Sequence, residues 1–176
     1  LASGAEVAGT DITITADNAG DGDADGVTGS ITLAGNIAGD SVTITGGGVS
    51  QTGDIVSNGV VDITANSTAT SAISGITLAK IEAGGIVDVE SSNGLELTKD
   101  VTSTGGAITL IAGNSSASGD DLTIGALNLE SVAQVTMTAG DNISLASGAE
   151  VAGTDITITA DNAGDGDADG VTGSIT

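Results

Sequence analysis

The chain of 176 residues has no cysteine, histidine, proline, phenylalanine, tyrosine or tryptophan, and its only two basic residues are Lys80 and Lys99. Without cysteine there is no disulfide framework and no thiolate nucleophile; without histidine or cysteine there is no zinc or haem ligand set. No side chain is poised to act as a general base near neutral pH. The serines therefore have nothing to activate them, and the chain is not expected to be an enzyme. Against two lysines stand 24 Asp and Glu, a formal charge of −22. Almost nothing here neutralises phosphate, so neither nucleic acid nor an anionic membrane is an expected partner. No apolar run reaches the roughly 18 residues of a membrane-spanning helix. The chain opens on Leu1 with no initiator Met and no signal peptide, and is expected to be a piece of a longer polypeptide.

What is present is small, aliphatic and repetitive. Ile, Val and Leu make up 42 of the 176 residues, about 24% and above the roughly 20% below which a highly charged chain stays disordered. The sequence can fold, around a thin core. Residues 1–32 recur without a change as residues 145–176, a period of 144. One complete unit, 1–144, is thus followed by the start of the next, and together they are expected to form one continuous body. Folding alone does not demand identity over 32 residues, because cores tolerate aliphatic exchange. The repeat points to a tandem array.

A weaker period lies inside the unit. Ile14, Ile63, Leu110 and Ile158 stand in the related segments DITITA, VDITAN, AITLIAG and DITITA, 47 to 49 residues apart, so sub-repeats of about 48 residues fill the 144. Second apolar stretches start at Ser41, Ile86 and Val135 and divide the unit into six blocks: 11–40, 41–59, 60–85, 86–106, 107–134 and 135–154. Each opens with strict alternation, as in Ile12 and Ile14 against Thr13 and Thr15, or Val87 and Val89 against Asp88 and Glu90. A period of two carried by β-branched residues and ended by Gly, Asn or Asp marks a strand with one buried face. No segment reads as helix.

Short strands, two or three to a block with glycine at the corners, predict an all-β right-handed parallel β-helix (a β-solenoid) with about six coils per 144 residues. Stacking at about 4.8 Å would give a rise of about 29 Å per unit. The expected inward residues are Ile12, Ile14, Ile31, Leu33, Val42, Ile44, Ile63, Val87, Val89, Leu97, Ile108, Leu110, Ile124, Val135 and Met137. The polar runs 16–26, 65–75 and 112–121 are expected to bulge from one corner and leave the stack intact.

The phrases DITITA (11–16), GSITLAG (29–35) and GAITLIAG (106–113) are interleaved with AGNIAG (34–39), KIEAGGIVDV (80–89) and GDNISLASGAEVAG (140–153). This pattern resembles, over essentially all 176 residues, the shaft repeats of filamentous-haemagglutinin-type adhesins. The resemblance implies a long right-handed parallel β-helix, export by two-partner secretion, and attachment at the cell surface in a giant tandem-repeat protein whose binding tip lies elsewhere. The amino-terminal secretion domain of such proteins is not in this sequence.

Three surface features are candidate sites. Asp21, Asp23 and Asp25, followed by Gly26 and Val27, have the D-x-D-x-D-G spacing of calcium loops, with the Val27 carbonyl where such loops supply a backbone oxygen. Thr32 stands at the twelfth position in place of a bidentate Glu, which excludes an EF-hand; the expectation is a short loop of modest calcium affinity, with Asp17 or Asn18 able to complete it. Asp165, Asp167, Asp169 and Val171 repeat it identically. Second, Thr13, Thr15, Thr43, Thr45, Thr136 and Thr138 point outward, as an ice-binding array would require, but Asp62, Asp88 and Glu90 interrupt them at equivalent positions. Third, Lys80 with Glu82 and Lys99 with Asp100 read as ordinary surface charge. The expected role is a structural segment of a secreted cell-surface fibre or adhesin stalk whose partner is itself, through stacked repeats. A multi-chain extracellular filament is the first alternative and an ice-binding protein the second. With 18 acidic residues and 2 Lys in each unit, lateral association is expected to need salt or divalent cations.

Overall fold

The computed structural model describes residues 1–16, 29–66, 75–113, 119–160 and 173–176. Among them are eighteen strands and no helix. In chain order they are β1 (Glu6–Thr15), β2 (Ser30–Leu33), β3 (Asn36–Gly46), β4 (Gly48–Gln51), β5 (Ile55–Ser57), β6 (Val61–Ala65), β7 (Gly75–Leu78), β8 (Ile81–Ala83) and β9 (Val87–Ser91). There follow β10 (Leu95–Leu97), β11 (Val101–Ser103), β12 (Ile108–Ala112), β13 (Leu122–Ile124), β14 (Asn128–Ser131), β15 (Gln134–Ala139), β16 (Ile143–Leu145), β17 (Glu150–Ala152) and β18 (Asp155–Thr159). All their pairings are parallel, and each strand between the end levels bonds to strands of the levels above and below. The chain therefore winds as a parallel solenoid, the architecture of a parallel β-helix.

Three ladders of strands build the walls. In the first, Val7, Ile37, Ile55, Ile81, Val101, Leu129 and Val151 stack in register. In the second the column runs Ile12, Val42, Val61, Val87, Ile108, Val135 and Ile156. The third carries Ile31, Val49, Ile76, Leu95, Leu122 and Ile143, with Ile175 bridged to Ile143. β1 and β3 run unbroken through the first two ladders, whereas at later levels a corner divides them into separate strands. Spacings along the second column reproduce the long and short blocks read from the sequence. The one difference is that Ile108 meets Val135 and Val135 meets Ile156, so the last block begins at Gln134, which pairs with Asp155, one residue earlier than the alternation suggested.

Alternate residues close a single aliphatic core from all three walls. Every expected inward residue is buried except Ile14, which is half-buried at the first level, where only β3 covers it. The polar runs leave from β1, β6 and β12 and return at β2, β7 and β13, always between the second and third ladders. The expected bulges themselves fall on residues 17–28, 67–74 and 114–118, outside the described residues.

The corners impose the glycines. A Cβ on Gly84 would overlap the Asn58 carbonyl oxygen of the level below, and one on Gly105 would overlap that of Gly84. Gly75 begins β7 at a φ of +80°, directly against the Gly94 carbonyl. Serine hydroxyls tie the corner between the first two ladders. Ser57 Oγ accepts from the Gly59 amide at 3.2 Å and lies 3.0 Å from the Asp40 carbonyl, and Ser131 Oγ accepts from Ala133 at 2.9 Å while donating to the Gly106 carbonyl at 2.7 Å.

Candidate functional surface

The outward side of the second ladder is a regular surface. Pairing along it produces one column of Thr13, Thr43, Asp62, Asp88, Thr109, Thr136 and Thr157. Two residues further along each strand stands a second column of Thr15, Thr45, Thr64, Glu90, Ile111, Thr138 and Thr159. The six threonines singled out in the sequence fall in these columns, and Asp62, Asp88 and Glu90 interrupt them at the middle levels. Thr64, Thr109, Thr157 and Thr159 belong to the same array. Their signal was the same alternation, read through the register.

Asp62 and Asp88 are direct neighbours in that ladder. Like charges opposite one another on adjacent strands repel. Partial burial, and then the Asp62 carboxylate, hold the Asp88 carboxyl above the usual carboxylate range. Chemically this surface offers hydroxyls, methyls and a short acidic interruption, with no base next to a nucleophile.

The lysines lie elsewhere. Lys80 Nζ is 2.8 Å from Glu82 Oε1, and the hydrogen bond and charge of Glu82 raise the Lys80 pKa. Lys99 reaches Asp54 at 4.0 Å rather than its chain neighbour Asp100, whose Oδ1 accepts from the Asn128 amide at 2.8 Å. Both lysines sit on the exterior.

Besides the corner serines, three buried polar residues among those described escaped the sequence reading. Gln51 lies in the core wall, where its Oε1 accepts from the Ala79 amide at 2.9 Å and its Nε2 donates to the carbonyls of Gly53 and Lys80. Asp120 and Asp141 are buried at successive levels where the second ladder turns into the third. Asp141 Oδ2 accepts from the amides of Gly119 at 2.8 Å and Asp120 at 3.2 Å, so this carboxylate caps the returning backbone. The Asp120–Asp121 pair carried no pattern that separates an inward carboxylate from a loop charge.

The calcium-type residues Asp21, Asp23, Asp25 and Val27, and their copies Asp165, Asp167, Asp169 and Val171, lie outside the described residues. Among the described residues no group of three or more Asp or Glu is arranged to hold a metal ion, and no helix is long and apolar enough to cross a membrane. No protein-family model matches the chain, and no curated protein or solved structure is similar to it, so none of these comparisons points to an adhesin-type repeat.

Proposed function

We propose that the chain is a structural segment of a secreted cell-surface fibre or adhesin stalk, a rigid spacer made of tandem 144-residue units, each a right-handed parallel β-helix of about six coils. The observation that carries this reading is the second ladder. Its column leaves Ile12, passes Val42, Val61, Val87, Ile108 and Val135, and arrives at Ile156, the residue identical in sequence context to Ile12. A period of 144 therefore ends where it began, in the geometry a continuous array needs. Right-handedness follows from the crossover preference of parallel strands. The resemblance to haemagglutinin-type shafts supplies the extracellular location and the adhesive context.

One second reading, a filament of separate chains joined end to end, would use the same equivalence of Ile12 and Ile156 in the second ladder. Ice binding is not carried forward, because Asp62, Asp88 and Glu90 occupy the centre of the threonine columns that a flat ice-matching array would need. Immuno-electron microscopy of the source cell, with antibody to the repeat, tests the proposal. Thin surface fibres labelled at regular intervals along single covalent chains are expected; label confined to the cell interior would contradict it.

In this reading the acidic loops around Asp21, Asp23 and Asp25, and around Asp165, Asp167 and Asp169, take calcium at the millimolar level found outside cells. Calorimetric titration should give heats for the native chain that disappear when all six aspartates are changed to asparagine. Equal heats from both proteins would end the calcium proposal.

A further inference from the structure

Residues 1–32 and 145–176 are one sequence placed at opposite ends of the stack, so the molecule contains an internal comparison. Where both copies are described, the turn that opens them has the same conformation, although β1 runs unbroken while its copy is divided by a corner into β17 and β18. Gly4 and Gly148 both have positive φ, at 78° and 91°. Ala5 bonds back to the Ala2 carbonyl as Ala149 does to that of Ala146. Leu1 N donates to the Thr32 carbonyl at 2.8 Å, and Leu145 N to the Thr176 carbonyl at 2.9 Å.

Their neighbours differ. The first copy is covered by the level that follows it, β3 and β4; the second lies on the level that precedes it, β13, β14 and β15. Burial records the difference: Ile12 and Ile31 are each 6% exposed, whereas the corresponding Ile156 and Ile175 are 46% and 53% exposed. The level that follows thus removes two isoleucines from water, and at the second copy that apolar face stands open.

We propose that this open face, formed by 143–160 and 174–176, is a docking surface for residues 33–51 of a further copy of the unit joined in the same chain. The register is fixed by the pairs already made at the first copy: Ile156 receives the incoming Val42, Thr157 the incoming Thr43, Thr159 the incoming Thr45 and Ile175 the incoming Val49. Every strand of the repeated segment then has partners on both edges, β15 on one side and an incoming β3 on the other. The units join without a linker or a cap. The tandem reading supplies only the identity of the occupant; the face and its register come from the two copies themselves.

The chain has no cysteine, which permits a clean test. Residues 33–176 are appended a second time after Thr176. One cysteine is placed at Thr157→Cys or Thr159→Cys in the first unit, and the other at Thr43→Cys or Thr45→Cys in the appended unit. Paired parallel neighbours are about 4.8 Å apart, within disulfide reach, whereas the crossed combinations are about 8 Å apart, beyond it. Mild oxidation should close the 157/43 and 159/45 pairs within one chain, each read as a gel-mobility shift reversed by reductant, and leave 157/45 and 159/43 open. All four sites are on the surface, and the two matched pairs check each other against misfolding of either variant. Equal closure of matched and crossed pairs, closure of neither matched pair, or bridges formed only between chains would overturn the proposal. Because the readout uses purified protein, it is independent of whether fibres are found on the cell.

Discussion

Gln51 stands in a core row that is otherwise aliphatic, paired with Leu33 on one side. Its amide closes three bonds with the corner backbone at Ala79, Lys80 and Gly53. Gln51→Leu would suit the row in shape but orphan a buried N–H and buried carbonyls, so it should lower stability by about 1–3 kcal/mol, measured as a reduced urea midpoint. An unchanged midpoint would show that water replaces those bonds. At Asp88 the sign is opposite. Its folded carboxyl titrates above the unfolded one, so the folded state holds the extra proton between the two values, and stability falls as pH rises through that window. Asp88→Asn should raise the melting temperature at pH 7 and flatten its rise on mild acidification. A lower melting temperature at pH 7 would contradict the repulsion assigned to Asp62. Neither residue was legible as such in the sequence. No alternating stretch marked Gln51 as inward, and although Asp62 and Asp88 stood at equivalent positions, their contact exists only once register pairs residues 26 apart.

At the scale of strands and corners the sequence was far more informative. Period-two stretches such as Val42–Ile44 and Val87–Val89 translate directly into buried rows, because a strand has only two faces and one of them is apolar. Corners were less legible. The division of the wall into a first and a second ladder, and the unbroken passage of β1 and β3 through it, depend on glycines whose need comes from the neighbouring level. Gly84 and Gly105 are such positions, while Gly9 meets only an Ile12 side-chain carbon at 3.7 Å. Gly84→Ala should therefore cost about 1–3 kcal/mol by forcing backbone apart. Gly9→Ala should stay within about 0.5 kcal/mol. Thermal unfolding of the two variants distinguishes them, and equal losses would mean that the Asn58 carbonyl does not restrict Gly84.

For the whole molecule, the exact repeat and the tandem stacking it implies were visible without any structure, and the register in which one unit would meet the next was not. That register comes from the pairs made at the first copy and from finding the same segment covered at one end and open at the other. In the proposed array, a chain so acidic, with two lysines both on the exterior, gains length by stacking further levels rather than by enlarging a core. Adding a unit should therefore lengthen the particle and leave its width alone. Small-angle X-ray scattering compares the 176-residue chain with chains carrying one and two further copies of residues 33–176. The maximum dimension should increase by about 29 Å per added unit at constant cross-sectional radius; a widening cross-section, or a length that stops growing after the first added unit, would contradict a continuous solenoid.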